Sequence, residues 1–192
     1  MAKAKAWWEV LLDLLAGLLA KQELRDAGGT PAQLDRAVTV SMPLGSGYDR
    51  QAEEDRQRAA VVAYMRSKIG TPYKLGAEVA PGQEAEAGLL DCSESVEAAF
   101  RVAGMVIPDG SPYQYDHCRP VKAPKLGDLG FLWSDKWGRI GHVMVATDAG
   151  TVLHAVGGRG LVEDPVSLWE GIPRWRGWRR HPDWARPAED RA

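Results

Sequence analysis

Apolar residues first recur at helical spacing over residues 6–20, where Trp7, Leu11, Leu14 and Leu18 form one stripe and Trp8, Leu12, Leu15 and Leu19 a second beside it. Glu9 and Asp13 lie one turn apart on the narrow remaining face. Those charges interrupt what a secretory signal needs as an uncharged core, so no signal peptide is evident, and the stretch is too short and too charged to span a bilayer. The spacing predicts an amphipathic helix, either packed on its own domain or free to dock on another protein or a membrane surface. Gly28-Gly29-Thr30-Pro31 stops it. A second helix is predicted over residues 49–68. Its charged first half (Asp49, Arg50, Glu53, Glu54, Asp55, Arg56, Arg58) reads as a solvated face, and Val62, Met65 and Ile69 as its apolar stripe.

Helical spacing returns at Val96, Ala99, Phe100 and Ala103, with Asp91 as the N-cap and Gly104 as the stop. The period then changes to that of strands. Residues 141–147 and 151–156 read as two strands joined by Asp148-Ala149-Gly150, a three-residue hairpin loop with glycine where positive φ is wanted. That loop pairs Thr147 with Thr151 and Met144 with His154, which makes His142 a diagonal neighbour of His154 on the same face. One residue more or fewer in the loop would separate the two rings. The alternation of Trp175 with the neighbouring arginines over residues 174–180 reads as an edge strand with one wet face, and residues after Pro182 as a frayed tail.

Composition narrows the class. A chain of 192 residues, 45% hydrophobic and 26% charged, suits one soluble domain with an appendage, and no internal repeat or low-complexity tract is present. The partition expected is a helical N-terminal extension over 1–55, a core domain over 56–180 and a tail over 181–192. A net charge of -2 excludes a global basic footprint for nucleic acid, and two cysteines exclude a disulfide framework. Eight tryptophans against two phenylalanines is the unusual count.

Cys92 falls in the first turn of the Asp91-capped helix, where free N–H groups and the helix dipole favour a thiolate. A cysteine at a helix start with two same-face histidines supplies a nucleophile, a general base and a group that orients the base. The same three side chains could instead ligate zinc with one open position, or be a buried cysteine and two histidines serving the core. Cys118, beside His117, lies in a loop containing Pro112, Tyr113 and Tyr115 with no helix start after it, and is not read as a nucleophile. Asp128 is expected to tie down the loop ahead of its strand. Trp133 and Trp137 bracket a turn, and either groove lining or core packing fits them.

Five segments, in order, resemble the NlpC/p60 family of papain-like cell-wall cysteine peptidases. They are Gly70-Thr71-Pro72-Tyr73-Lys74-Leu75-Gly76, Asp91-Cys92-Ser93, Leu126-Gly127-Asp128-Leu129, Gly141-His142-Val143 and Leu153-His154-Ala155. The resemblance implies an α+β papain-like core, with the nucleophile helix packed on an antiparallel sheet. It implies hydrolysis of amide bonds in peptidoglycan stem peptides, typically beside a D-γ-glutamyl residue, with no metal or organic cofactor. Carried over by position, Cys92 is the nucleophile, His142 the base and later acid, and His154 its orienter. Tyr73 corresponds to a tyrosine near the oxyanion, Asp91 and Ser93 to positions that receive the stem peptide's free amine, and Tyr113 and Tyr115 to the substrate cleft. Glu94 and Ser95 depart from the family's usual glycine and apolar residue, and residues 78–88 form an acidic insert expected to wall the groove.

With no signal peptide evident, delivery to the wall is expected through a phage lysin, a virion component or a secreted effector, with residues 6–20 as a virion or membrane docking element. A catalytically silent wall-binding or virion assembly module, and an acyltransferase or deamidase on the same scaffold, remain as alternatives. The sequence sets no oligomeric state.

Overall fold

A computed structural model of the chain describes residues 50–184. The predicted helix over residues 6–20, its stop at Gly28-Gly29-Thr30-Pro31 and the tail beyond Trp184 lie outside the described residues. Helix α1 (Arg50–Ser67) is followed by a long connection holding one 3₁₀ turn, then by α2 (Cys92–Val102) and the short α3 (Ser111–His117). Six strands complete the unit: β1 (Arg119–Val121), β2 (Leu129–Ser134), β3 (Arg139–Ala146), β4 (Thr151–Val156), β5 (Gly160–Pro165) and β6 (Trp175–Arg180). They form one antiparallel sheet in the order β1-β6-β2-β3-β4-β5. The architecture is α+β, with the helices packed on one face of the sheet.

Strand alternation divides the apolar residues between the two faces. Phe131, Val143, Val145 and Leu153 meet Val61, Met65, Val96 and Phe100 of α1 and α2 in the main core. Met144, Ala146 and Val152 point the other way, into a smaller cluster with Trp178 that Trp169, Ile172 and Trp175 border. Gly130 gives these indoles room, since a Cβ there would lie 2.7 Å from Trp175 and 2.9 Å from Trp178. Three of the eight tryptophans thus cover one face of the sheet.

Several expectations need correction. Glu54 and Arg58 are not solvated: both are buried, and Arg58 bonds Glu54 at 2.8 Å and Asp128 at 3.0 Å. Ile69 lies past the helix end and is exposed. Residues 111–117 are helical because Pro112 sits in the first turn, where its fixed φ fits and its missing N–H costs nothing. Strand β6 is interior, since β1 pairs along its outer side. Pro182–Trp184 is a packed 3₁₀ turn whose Trp184 is buried, stacks on Phe100 and donates to Gln57 at 3.0 Å. Asp128 does hold its loop, accepting from the Lys125 backbone at 2.8 Å.

The β4–β5 turn is built against the segment that precedes α2. Leu161 donates its N–H to Thr71 and accepts from Gly70. Gly160 has φ +76°, and a Cβ on it would lie 2.5 Å from the Thr71 carbonyl oxygen. A Gly160→Ala protein is therefore expected to lose on the order of 3 kcal/mol of stability, from the strained φ and the backbone collision together. Urea unfolding checks this, and a loss below about 1 kcal/mol would show that the Thr71 segment yields freely.

Candidate active site

Helix α2 begins at Cys92 because Asp91 caps it: the Asp91 carboxylate accepts from the Glu94 N–H at 2.9 Å and from the Ser93 hydroxyl at 3.0 Å. Its second oxygen accepts from the Gly76 N–H at 2.9 Å, anchoring the loop after Tyr73. Tyr73 bridges Leu90: the Lys74 N–H donates to the Leu90 carbonyl and the Leu90 N–H to the Pro72 carbonyl across the same join. The start of the helix and the Gly70–Gly76 segment are thereby one local assembly.

The sulfur meets the sheet where β3 and β4 part. These strands pair only near their hairpin, at Val145 with Leu153 and Ala146 with Val152, and Thr147 pairs with Thr151 as the loop length predicts. Beyond Val145 the Val143 N–H faces the Cys92 sulfur. The two histidines span the split, with His142 Nε2 2.8 Å from His154 Nδ1. Among the described residues no hydrogen bond joins the sulfur to the His142 ring; Val143, the next residue on the strand, makes the contact.

Behind His154 lie two residues that sequence reasoning missed. His154 Nε2 is 3.1 Å from Asp164 Oδ2, and Arg159 grips the same carboxylate through both oxygens at 2.8 and 2.7 Å. The signal was available: β5 places Val162 opposite His154 and Asp164 opposite Val152, so Asp164 is its diagonal neighbour. Trp169 closes the far side, its ring edge-on to His154 at 4.9 Å. Both His154 nitrogens are thus engaged by protein groups, so the zinc arrangement lacks a third ligand.

The helix start by itself predicts a depressed thiol pKa, and the structure departs from that. Burial of the sulfur, followed by the Asp91 charge, pushes the thiol up to about 12, and the N–H groups of Val143, Ser93 and Cys92 only partly oppose it. Burial and then His154 push the half-buried His142 down to about 3. The resting pair is a neutral thiol and a neutral imidazole. Alkylation of Cys92 by iodoacetamide is therefore expected to accelerate about tenfold per pH unit throughout the neutral range. A rate that levels off on the acid side of neutrality would demonstrate a thiolate–imidazolium pair instead.

A cleft of ≈ 340 Å³ opens on the sulfur, lined among others by Leu75, Asp91, Cys92, Ser93, Ser111, Pro112 and Trp137. Trp137 thus faces the groove, whereas Trp133 packs against the core. Tyr73 lies close enough for burial first, then Cys92 and Asp91, to raise its phenol to about 12. Tyr113 is exposed on α3. Tyr115 does not line the cleft, because its ring packs edge-on against Phe131 at 5.2 Å beneath the Arg179 guanidinium at 3.5 Å. The acidic insert does not wall the cleft either. Arg101 of α2 ties it down by bonding Glu84 and the Val79 carbonyl, while Lys68 reaches the Ala85 carbonyl. Glu94 points into that assembly, bonding Arg101 at 3.0 Å, and burial raises its carboxyl to about 7. Cys118 is buried in the core.

The model of the NlpC/P60 family matches residues 70–172. No curated protein matches the chain. Among solved structures, an NLP/P60-family protein similar to a lipoprotein, from Staphylococcus aureus, superposes with a TM-score of 0.55 at 20% identity, over 76% of this chain and 47% of that one. The chain therefore spans about half the length of that relative. The peptidoglycan hydrolase RipB from Mycobacterium tuberculosis gives a TM-score of 0.54 at 24% identity, over 92% of this chain and 85% of its own. RipD from the same organism, described as a non-catalytic NlpC/p60 domain protein adapted to peptidoglycan binding, gives 0.50 at 22%, over 65% and 96%.

Proposed function

Because the chain belongs to the NlpC/P60 family, we propose that it is a cysteine hydrolase that cleaves amide bonds in peptidoglycan stem peptides, on the carbonyl side of a D-γ-glutamyl residue. The observation that carries this reading is the thiol of Cys92, open to a cleft and set against the strand of a hydrogen-bonded histidine pair.

The stem peptide lies in the cleft with its scissile carbonyl at the sulfur. The thiol proton passes to His142 as Sγ attacks, so charge separation occurs only as the new C–S bond forms. The oxygen that gains negative charge is received by the Cys92 backbone N–H and the Tyr73 hydroxyl. His142 then gives its proton to the departing amine, the C–N bond breaks, and a thioester remains on Cys92. Water, deprotonated by His142, attacks that thioester and releases the carboxylate and the free thiol. Asp91 and Ser93 line the same cleft and receive the free amine of the stem peptide.

Digestion of purified peptidoglycan followed by mass spectrometry of the soluble fragments tests the assignment. New amine termini next to D-γ-glutamyl carboxylates are expected. Wall binding without any new terminus would place the chain with the non-catalytic members. Transfer of the acyl group to an added amine in preference to water would make it an acyltransferase, and ammonia release without chain cleavage a deamidase.

A further inference from the structure

We propose that Asp164, clamped by Arg159, is a positioning residue that fixes the tautomers of both His154 and His142 and so keeps His142 Nδ1 free of its proton. This rests on the reading of His142 as the base and extends it to residues of β5 and its turn.

The argument is an accounting of protons along one chain of hydrogen bonds. Asp164 is buried, yet both its oxygens accept from the Arg159 guanidinium in a fork-to-fork pair, which holds the carboxyl ionised at about 2. An ionised carboxylate only accepts. The 3.1 Å contact from Oδ2 to His154 therefore requires the hydrogen to sit on His154 Nε2. His154 is fully buried, and burial, which outweighs the opposing pull of Asp164, keeps it from taking a second proton. Its Nδ1 is then a bare lone pair. Across 2.8 Å from that lone pair, His142 Nε2 must be the donor, because two lone pairs at this separation repel. His142 is also neutral, so its remaining nitrogen, Nδ1, is unprotonated. One charge on β5 thus determines which nitrogen of a ring two hydrogen bonds away can take a proton.

The chain backbone supports the clamp. Arg159 sits at the turn between glycines with φ +79° at Gly158 and +76° at Gly160, and Asp164 returns on β5 beside His154. Trp169 packs beside both rings, its centroid 6.3 Å from that of His142 and 4.9 Å from that of His154. In this role Arg159 and Asp164 touch no substrate.

The test uses the full chain labelled with ¹⁵N-histidine, in which long-range ¹H–¹⁵N correlation reads each ring's tautomer directly. The wild-type protein is expected to show Nε2–H on both His142 and His154. In Asp164→Leu no acceptor remains beside His154 Nε2, so neither ring is held in one tautomer. Nδ1–H forms are then expected on both rings, and kcat for stem-peptide hydrolysis is expected to fall by about 10²–10⁴-fold with KM little changed. In Asp164→Asn an amide oxygen in the Oδ2 position accepts from both Arg159 and His154, as the carboxylate does. That variant is expected to keep the Nε2–H tautomers and part of kcat, so tautomer and rate move together, which a purely structural role does not predict. Nδ1–H on His142 in the wild type, or unchanged tautomers in Asp164→Leu, would overturn the proposal. If the tautomers behave as expected but the wild type cleaves no stem peptide, the proton accounting stands and the hydrolase reading falls.

Discussion

A Cys92→Ala protein is expected to lose at least ~10⁴-fold in stem-peptide hydrolysis while keeping its fold. In the proposed mechanism the sulfur forms the covalent intermediate, and the Ser93 and Ser111 hydroxyls that share the cleft are far weaker nucleophiles at neutral pH. Without it, water must attack the amide directly, aided by the oxyanion donors that remain, the backbone N–H of residue 92 and the Tyr73 hydroxyl. Alanine is the best helix former and fits the first turn of α2, so thermal unfolding should shift little. Because nucleophile and base act as a unit, adding His142→Ala to Cys92→Ala is expected to cost almost nothing further. Substrate binding should persist in both proteins, giving a silent wall binder for comparison. Equal fragment release by wild-type and Cys92→Ala enzymes would end the cysteine mechanism, and a further large loss in the double variant would mean that His142 serves some other reaction.

Asp128→Ala is expected to be the most damaging single change to stability, at about 3–5 kcal/mol. The carboxylate is fully buried and accepts from Arg58 at 3.0 Å, from Arg180 at 2.9 Å and from the Lys125 N–H at 2.8 Å. Both guanidiniums are themselves nearly inaccessible, at 4% exposure each. Alanine would strip the buried Arg180 of the carboxylate it grips and would remove one of the two carboxylates that Arg58 bonds, leaving Glu54. The expected fall in Tm is on the order of 10 °C. Asp128→Asn keeps the shape and part of the hydrogen bonding and should fall between wild type and alanine. A change below about 1 kcal/mol in the alanine protein would show that water or a rearranged carboxylate replaces Asp128 at little cost.

What the sequence made legible follows from the range of the interaction concerned. The helix start at Cys92 could be read because an N-cap and a helical stripe lie within a dozen residues. The His142–His154 pairing could be read because a three-residue loop sets its register and hence the face. The burial of Glu54 and Arg58 is not legible, because charges on an amphipathic helix look solvated until a partner 70 residues away is known. Strand β6 reads as an edge because its cover, Arg119–Val121, is only three residues long and carries no alternation of its own. The raised thiol pKa was hidden for a related reason: the helix dipole is local and visible, whereas burial beneath β3 and the neighbouring Asp91 charge appear only on assembly. Asp164 is legible by the same logic as His154, since the short turn that pairs Val156 with Gly160 sets Asp164 diagonal to His154.

The acid–base side of the site comes from one uninterrupted meander. His142 and His154 lie 12 residues apart, His154 and Asp164 lie 10, and all of them belong to β3, β4 and β5. Cys92 arrives from outside that run, on a helix whose attachment to the sheet depends on the main core. In folding terms the two halves have different contact order: the imidazole ladder can form as soon as two hairpins close, while the thiol joins it only when distant segments dock. The sulfur's place beside the ladder therefore depends on the main core. A core substitution such as Phe100→Ala is expected to disturb the environment of Cys92 before that of the His154–Asp164 pair, which cysteine alkylation and histidine NMR would separate.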